Sequence, residues 1–259
     1  MCASTWEQPR VVSPEQWLAA RQELLAKEKR LTRQRDALAA ERRKLPWVKV
    51  EKEYLFDTPS GKMTLSQLFD NRSQLIIYHF MFGPEWKEGC PGCSMIADHL
   101  DGSVTHLANR DLTLLAVSRA PLAKIQEFKQ RMGWRFKWVS SFSSDFNHDF
   151  HVSSTKEELA KGEIYYNYKM QPLPSDERPG ASVFYKNENA EVFHTYSTYA
   201  RGLEVGMGAY SYLDIVPKGR DEEGLPRKTA WLRHHDRYEQ DYYADAGQQL
   251  KQVIRAAGL

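Results

Sequence analysis

The chain has 259 residues, of which 41% are hydrophobic and 27% are charged, and its net charge is +2. This length suffices for a sizeable core, while no apolar run approaches the roughly 20 residues that span a bilayer. The nearly balanced charge gives no reason to expect a nucleic acid or a membrane as the partner. Three cysteines are too few for a secreted disulfide framework, and residues 1–7 lack the charged-then-apolar pattern of a signal peptide. We therefore expect a cytoplasmic protein.

A long helix is predicted over residues 13–45. Ser13 can cap it, Pro14 suits its first turn, and Gln16 completes a capping box. An apolar stripe recurs at every seventh position of this segment, at Trp17, Leu24, Leu31, Leu38 and Leu45. Such a stripe packs either on a second copy, giving a homodimer, or on the body of the same chain, and the sequence leaves both open. We interpret the basic opposite face as a solvated surface.

Residues 46–216 are predicted to form one α/β domain. Buried strands are expected over 75–82 and 112–117, short strands over 54–57 and 136–141, and helices over 95–108 and 122–132. A nearly continuous apolar run such as 75–82 is typical of a central strand covered on both faces. Because such strands alternate with helices, we expect right-handed crossovers and a mainly parallel sheet.

The second half of the chain departs from this alternation. Residues 143–178 are rich in polar and aromatic side chains and are predicted to form an insertion with limited regular structure. Residues 181–196 read as a β-hairpin, and a helix is predicted near 203–213. Residues 217–259 are predicted to form a C-terminal extension that packs on the domain.

The most informative segment is Gly-Cys-Pro-Gly-Cys-Ser at residues 89–94, between a buried strand and a helix. Unpaired N–H groups and the positive end of the helix dipole can acidify Cys90 at this position. Cys93, one turn deeper, can resolve a mixed disulfide by attacking Cys90. We therefore predict that Cys90 is the attacking thiolate and Cys93 the resolving thiol.

Two other interpretations of the pair stay open. Cys-x-x-Cys is also half of a zinc site, but the chain offers no second such motif, and His99 lies too far along the helix, so no metal is expected. The other alternative is an inert buried pair in the core.

Four further residues are candidates for tuning the thiol or binding a substrate. Trp86 lies on the loop that approaches the pair, and Arg119 follows a neighbouring parallel strand at the edge where open α/β sheets bind ligands. A cation there would lower the pKa of Cys90 or hold an anionic substrate. Tyr196 and Arg201 follow at the exit of the hairpin. Packing or surface ion pairing is the alternative for each of the four.

The order of strand, Cys-x-x-Cys helix, strand, helix and hairpin resembles a thioredoxin fold. More specifically, the chain resembles the DUF899 family of thioredoxin-like proteins over about residues 10–240, through FMFGPEWKEGCPGCS at 80–94, ADHLDG at 97–102, AVSRAP at 116–121 and VFHTYS at 192–197. The resemblance implies a central mixed sheet flanked by helices, with a long N-terminal helix, an insertion and a C-terminal extension. It also implies that Pro179 is a cis-proline facing the cysteines.

Two positions depart from ordinary thioredoxins. Pro-Gly stands between the cysteines where thioredoxin has Gly-Pro, and Gly180 stands where thioredoxins carry threonine. These changes alter which N–H groups face the first sulfur and how a substrate backbone would pair beside it. A protein disulfide is therefore not assured as the substrate.

The sequence favours an enzyme, a dithiol oxidoreductase without a cofactor that reduces a disulfide, a peroxide or another small electrophile at the expense of an unknown electron donor. The peroxiredoxin pattern Pro-x-x-x-Thr-x-x-Cys is missing, since Lys87 stands in the position of the threonine, so disulfide exchange is favoured over peroxide reduction. The alternatives are a non-catalytic binding module or dimeric scaffold that docks through the long helix, and a metal-binding Cys-x-x-Cys protein.

Overall fold

The structure, a computed structural model, describes residues 8–238. Its α-helices are α1 (Pro14–Arg42), α2 (Pro91–Ala108), α3 (Leu122–Arg131), α4 (Phe146–Asp149), α5 (Lys156–Ala160) and α6 (Gly208–Leu213). Its strands are β1 (Val48–Lys49), β2 (Leu55–Thr58), β3 (Gly61–Thr64), β4 (Gln74–His79), β5 (Leu112–Ser118), β6 (Lys137–Ser140), β7 (Ile164–Tyr166), β8 (Lys169–Gln171), β9 (Gly180–Lys186) and β10 (Val192–Tyr199). Short 3-10 helices cover Ser66–Phe69, Ala200–Gly206 and His235–Arg237.

An eight-stranded sheet organises the domain in the order β1-β10-β9-β4-β5-β6-β2-β3. Strands β4, β5 and β6 are parallel, whereas β9 pairs antiparallel with β4 and β10 pairs antiparallel with β9. The four strands β10-β9-β4-β5, with α2 crossing over between β4 and β5, have the topology of a thioredoxin fold. The predicted mixed α/β fold is confirmed. The expectation of a mainly parallel sheet is wrong, because antiparallel strands flank β4, β5 and β6 on both sides: β9, β10 and β1 on one, and the β2–β3 hairpin on the other.

The central strand β4 separates two hydrophobic clusters because its side chains alternate between the faces of the sheet. Leu75 and Ile77 belong to the cluster that contains Phe146. Tyr78 belongs to the other cluster, which contains Cys93 and the apolar face of α2. This alternation decides which residues of β4 lie on the side of the cysteines.

Helix α1 begins as predicted, with Ser13 and Gln16 exchanging capping-box hydrogen bonds of 3.3 Å. It ends at Arg42 rather than at residue 45. None of its residues is buried, and the apolar stripe is 44–59% exposed at Trp17, Leu24, Leu31, Leu38 and Leu45. Packing of the stripe on the body of the same chain is therefore not seen within residues 8–238.

The insertion at 143–178 is more regular than predicted. It contains α4, α5 and the two-stranded β7–β8 sheet, and α5 begins at a Thr155–Glu158 capping box. Its Phe146 ring lies edge-on against Tyr54 and Phe56, in the cluster on the far side of the sheet from Cys93. This part of the insertion therefore covers the face opposite the cysteines.

Two other predicted elements differ from the structure. Strand β4 ends at His79 instead of Phe82, and the helix expected near 203–213 is divided at Met207 into a 3-10 helix and α6. Beyond α6 the chain returns to the domain: Leu232 packs on Met95, and His234 Nε2 lies 2.8 Å from the Gly89 carbonyl oxygen. Positions 239–259 of the predicted extension lie outside the described residues. No helix within 8–238 is long and apolar enough to cross a membrane.

Candidate active site

The two cysteines occupy the first turn of α2. Cys90 is the N-cap residue, in an extended conformation, and Pro91 is the first residue of the helix. Both cysteines are free thiols. Cys90 is partly exposed, whereas Cys93 retains 2% of its accessible surface. One sulfur can thus meet a substrate and the other can meet only its neighbours.

The surroundings of Cys90 favour its thiolate and lower its pKa to about 6. The largest cause is a hydrogen bond with the Cys93 side chain, followed by the backbone N–H groups of Cys93 and Gly92 and by the positive charge of Arg227. Burial acts in the opposite direction. Because α2 directs its free N–H groups at this position, the predicted acidification has a structural cause.

The surroundings of Cys93 favour its thiol. Burial, and then the hydrogen bond and charge of Cys90, raise its pKa well above the ordinary value. The Tyr78 hydroxyl and the Met81 N–H, whose nitrogen is 3.4 Å from Cys93 Sγ, act in the opposite direction. At neutral pH the pair therefore holds one proton, and that proton belongs to Cys93.

The loop before the pair is fixed by contacts that only glycine permits at position 89. A Cβ atom on Gly89 would lie 2.5 Å from the Phe80 ring and 2.9 Å from the Phe128 ring. The Cys90 N–H donates to the Met81 carbonyl oxygen at 3.1 Å. The backbone is therefore pressed against the aromatic core immediately before the nucleophile.

A cavity of about 650 Å³ lies beside the pair. Cys90, Cys93 and Tyr78 line one side of it, and Leu203, Met207 and Lys228 are among the residues lining the other. The second side comes from the segment 200–229, which follows the hairpin. The sulfurs thus face a half-open cleft rather than a flat protein surface.

Comparison with known proteins identifies the family of this chain. A family model described as "Bacterial protein of unknown function (DUF899)" matches residues 6–238. The chain belongs to the DUF899 family. A search of curated proteins finds no match.

Several solved structures are similar to this DUF899 chain. A mutant of peroxiredoxin Q from Xanthomonas campestris has 15% identity and a TM-score of 0.43, over 62% of this chain and 89% of its own. Peroxidoxin BcpB from Mycobacterium tuberculosis has 13% identity and a TM-score of 0.41, over 64% and 97%. The mitochondrial 2-cys peroxiredoxin from Plasmodium falciparum has 13% identity and a TM-score of 0.38, over 65% and 92%. Identities this low transfer no activity, and the fold assignment rests on the sheet topology.

Two of the substrate-side residues predicted for this DUF899 chain line the cavity, Pro179 and Arg201. The expected cis bond before Pro179 is not present, since residues 8–238 contain no cis peptide bond. Instead the chain runs into β9 with the Arg178 N–H donating to the Val152 carbonyl oxygen at 2.8 Å. Packing explains why residue 180 is glycine, because a Cβ there would lie 2.9 Å from the Tyr199 ring.

The other three predicted residues lie elsewhere. Arg119 Nε forms a 2.7 Å ion pair with the buried Glu177, and the cation that acts on Cys90 is Arg227. Trp86 packs against the aromatic core around Phe80. The Tyr196 ring lies 5.7 Å from the Arg42 guanidinium at the end of α1.

Sequence reasoning missed two parts of this DUF899 site: Tyr78 and the segment 200–229, which lines the cavity. Tyr78 is 2% exposed, and its hydroxyl has no hydrogen-bond partner of normal geometry in the described part of the chain. Burial and the charge of Cys93 raise the pKa of Tyr78 well above its ordinary value, so it remains a proton donor. The alternation of apolar residues along β4 was the signal that could have placed it on the side of α2.

The residues of 8–238 do not assemble a metal site: no three His, Cys, Asp or Glu side chains converge there. His99 is held in another role, because its Nδ1 lies 2.7 Å from the Met95 carbonyl oxygen and its Nε2 accepts the Ala209 N–H at 3.1 Å. His99, the first histidine after the cysteines, therefore holds the segment 200–229 against α2.

Proposed function

We propose that this protein is a thiol–disulfide oxidoreductase that uses the Cys90–Cys93 dithiol. The observation that carries the proposal is the division of the pair into an accessible thiolate, with a pKa of about 6 for Cys90, and a buried thiol in hydrogen-bond contact with it. This division supplies a nucleophile and a resolving group at adjacent positions. A pair that cycles in this way fits a reducing compartment, and we propose the cytoplasm.

The proposed reaction has two exchange steps. The Cys90 thiolate attacks one sulfur of the substrate disulfide, the substrate S–S bond breaks, and the other sulfur leaves as a thiolate that takes a proton from Cys93. The Cys93 sulfur then attacks Cys90 Sγ and expels the second substrate thiolate. The substrate gains two electrons and becomes one thiol and one thiolate, and the thiolate takes any further proton from solvent. The protein becomes a Cys90–Cys93 disulfide that a second thiol reductant must reduce.

A redox titration with thiol trapping tests this proposal. The protein is equilibrated in glutathione buffers of graded potential, alkylated, and examined by mass spectrometry, with Cys90→Ser and Cys93→Ser as matched variants. We expect one reversible intramolecular Cys90–Cys93 disulfide in the wild type and no intramolecular disulfide in either variant. If both thiols stay reduced at every potential, the proposal fails.

Peroxide reduction is the narrower alternative at the same thiolate, in which Cys90 would form a sulfenic acid that Cys93 converts to the disulfide. Mixing reduced protein with hydrogen peroxide and trapping the sulfenic acid in Cys93→Ser separates this reaction from disulfide exchange. We favour exchange because the threonine of the peroxiredoxin pattern is replaced by Lys87.

A second class of function, a binding module or dimeric scaffold, is favoured by the exposed stripe of α1. Large apolar side chains repeated along one helix are typical of a contact surface. This function predicts that Cys90→Ser leaves partner binding or dimerisation unchanged, whereas changes in the stripe abolish it. Comparing both variants by analytical ultracentrifugation separates it from the enzyme hypothesis.

A further inference from the structure

One wall of the cavity beside the cysteines is held in place by apolar packing and hydrogen bonds. The segment 200–232 wraps over α2, and Met95, Tyr210 and Leu232 form a buried cluster between them. The Tyr210 hydroxyl and the Trp231 indole N–H both donate to Glu222, at 2.9 and 2.8 Å. Because Cys90 lines a cavity bounded by this wall, its approach suits a small molecule better than a folded protein substrate.

The size of the cavity supports the same conclusion. Its volume of about 650 Å³ lies within the ~300–1,000 Å³ usual for small-molecule sites. Part of the lining is apolar and includes Met81, Ile96, Leu203 and Met207. The substrate should therefore carry an apolar body that can lie against these side chains.

The charged residues of the cavity are mostly neutralised by one another. Arg220 pairs with both Glu204 and Asp214, at 3.4 and 2.6 Å, and Arg201 pairs with Glu204 at 2.9 Å. Glu222 accepts two hydrogen bonds from neutral donors. Lys228 also lines the cavity, and within residues 8–238 it has neither a salt bridge nor a hydrogen bond from its side chain. Arg227, beside it, acts on Cys90 through its charge.

We propose that this cavity binds a small disulfide with an apolar body and a carboxylate group, with the S–S bond at Cys90, the body against Ile96 and Met207, and the carboxylate at Lys228. The inference rests on the proposed dithiol chemistry and specifies its substrate class. Cys90 and Cys93 carry out the same two exchange steps, and both substrate thiols leave through the open side of the cavity.

Two aromatic disulfides that differ in charge test this class. Dithiobis(nitrobenzoate) carries carboxylates and dithiodipyridine carries no charge, and both release coloured products. Reduced full-length protein is mixed with each in a stopped-flow instrument, and each rate constant is divided by that of dithiothreitol with the same reagent. Lys228→Gln removes the exposed ion pair with the reagent carboxylate, and we expect it to lower the rate with the dicarboxylate about threefold. Lys228→Glu replaces this attraction by repulsion, and we expect it to lower the same rate about tenfold. The rate with dithiodipyridine should stay within about twofold of the wild type.

The matched control is Lys218→Glu, which makes the same change in net charge at an exposed position outside the cavity lining. The inference is overturned if Lys228→Glu slows both reagents equally or neither, or if Lys218→Glu has the same effect. It is also overturned if the wild type reduces the protein disulfides of insulin as fast as the small reagents. The proposed function fails separately: in this assay it is contradicted if Cys90→Ser reacts as fast as the wild type.

Discussion

The pKa of Cys90 gives the sharpest test of the site. A value of about 6 means that about nine tenths of this thiol is ionised at pH 7, whereas a thiol with an ordinary pKa of about 8.5 is ionised to about 3%. Because only the thiolate reacts, the alkylation rate of Cys90 should increase with pH around a midpoint near 6 and should be close to its maximum by pH 7.

The same shift changes the stability of the reduced protein and its redox potential. Between pH 6 and about 8.5 the unfolded chain binds more protons than the folded one, so the stabilisation is complete above about pH 8.5 and is lost as the pH falls through 6. At pH 7 it amounts to about 1.4 kcal/mol. Since this energy favours the dithiol over the disulfide, the couple should be about 30 mV more oxidising than one with an ordinary thiol.

The assay is the rate of iodoacetamide labelling of the Cys90 peptide, followed by mass spectrometry between about pH 4 and about pH 9. A Cys93→Ala and Cys93→Ser pair tests the cause. Because the hydrogen bond with Cys93 is the largest contribution to the low pKa, the midpoint should rise in Cys93→Ala and rise less in Cys93→Ser, whose hydroxyl can still donate. A wild-type midpoint near 8.5, or equal midpoints in both variants, would refute this reasoning.

Three further outcomes follow from particular contacts. Tyr78→Phe removes the hydroxyl that favours the Cys93 thiolate, so resolution of a trapped mixed disulfide should slow about tenfold, measured by quenched-flow mass spectrometry, while Cys90 alkylation is nearly unchanged. Gly89→Ala places a Cβ against the Phe80 ring and should lower the free energy of unfolding by about 1–3 kcal/mol. Gly92→Ala, whose Cβ meets Cys90 Sγ at an ordinary 3.8 Å, should be tolerated in the same urea titration. If α1 dimerises the protein, Leu24→Lys with Leu31→Lys should convert a dimer to a monomer in analytical ultracentrifugation, whereas Lys27→Gln should not.

Much of the fold was predictable because its signals are local. The Ser13–Gln16 capping box fixed the start of α1, and the apolar run before the Cys-x-x-Cys helix identified β4 as a covered strand. The ends of these elements were less predictable. Strand β4 stops at His79 although the apolar run continues. Beyond it the Phe80 N–H still donates to the Val117 carbonyl oxygen on the side of β5, whereas the Met81 carbonyl oxygen accepts the Cys90 N–H.

The composition of the site was less predictable because it depends on contacts between distant segments. Arg119 does follow the expected strand, but the buried carboxylate of Glu177 holds its side chain. The cation that does act on Cys90, Arg227, comes from a charged C-terminal segment with no recognisable motif. A sequence pattern can place residues at one edge of a sheet, but it does not show which acidic partner a cation will find there.

Arg227 also connects the reactivity of the nucleophile to the wall of the cavity. It lowers the pKa of Cys90 through its charge and ranks behind the hydrogen bonds of Cys93 and Gly92. Its side chain is exposed, so solvent weakens its effect. Arg227→Gln should therefore raise the midpoint of Cys90 alkylation by less than Cys93→Ala does, and added salt should shrink the difference between Arg227→Gln and the wild type. Lys218→Gln, the same loss of charge elsewhere on this segment, should leave the midpoint unchanged. If Arg227→Gln has no effect at low salt while Cys93→Ala does, the segment encloses the sulfurs without tuning them, and the acidity of Cys90 comes from the first turn of α2 alone.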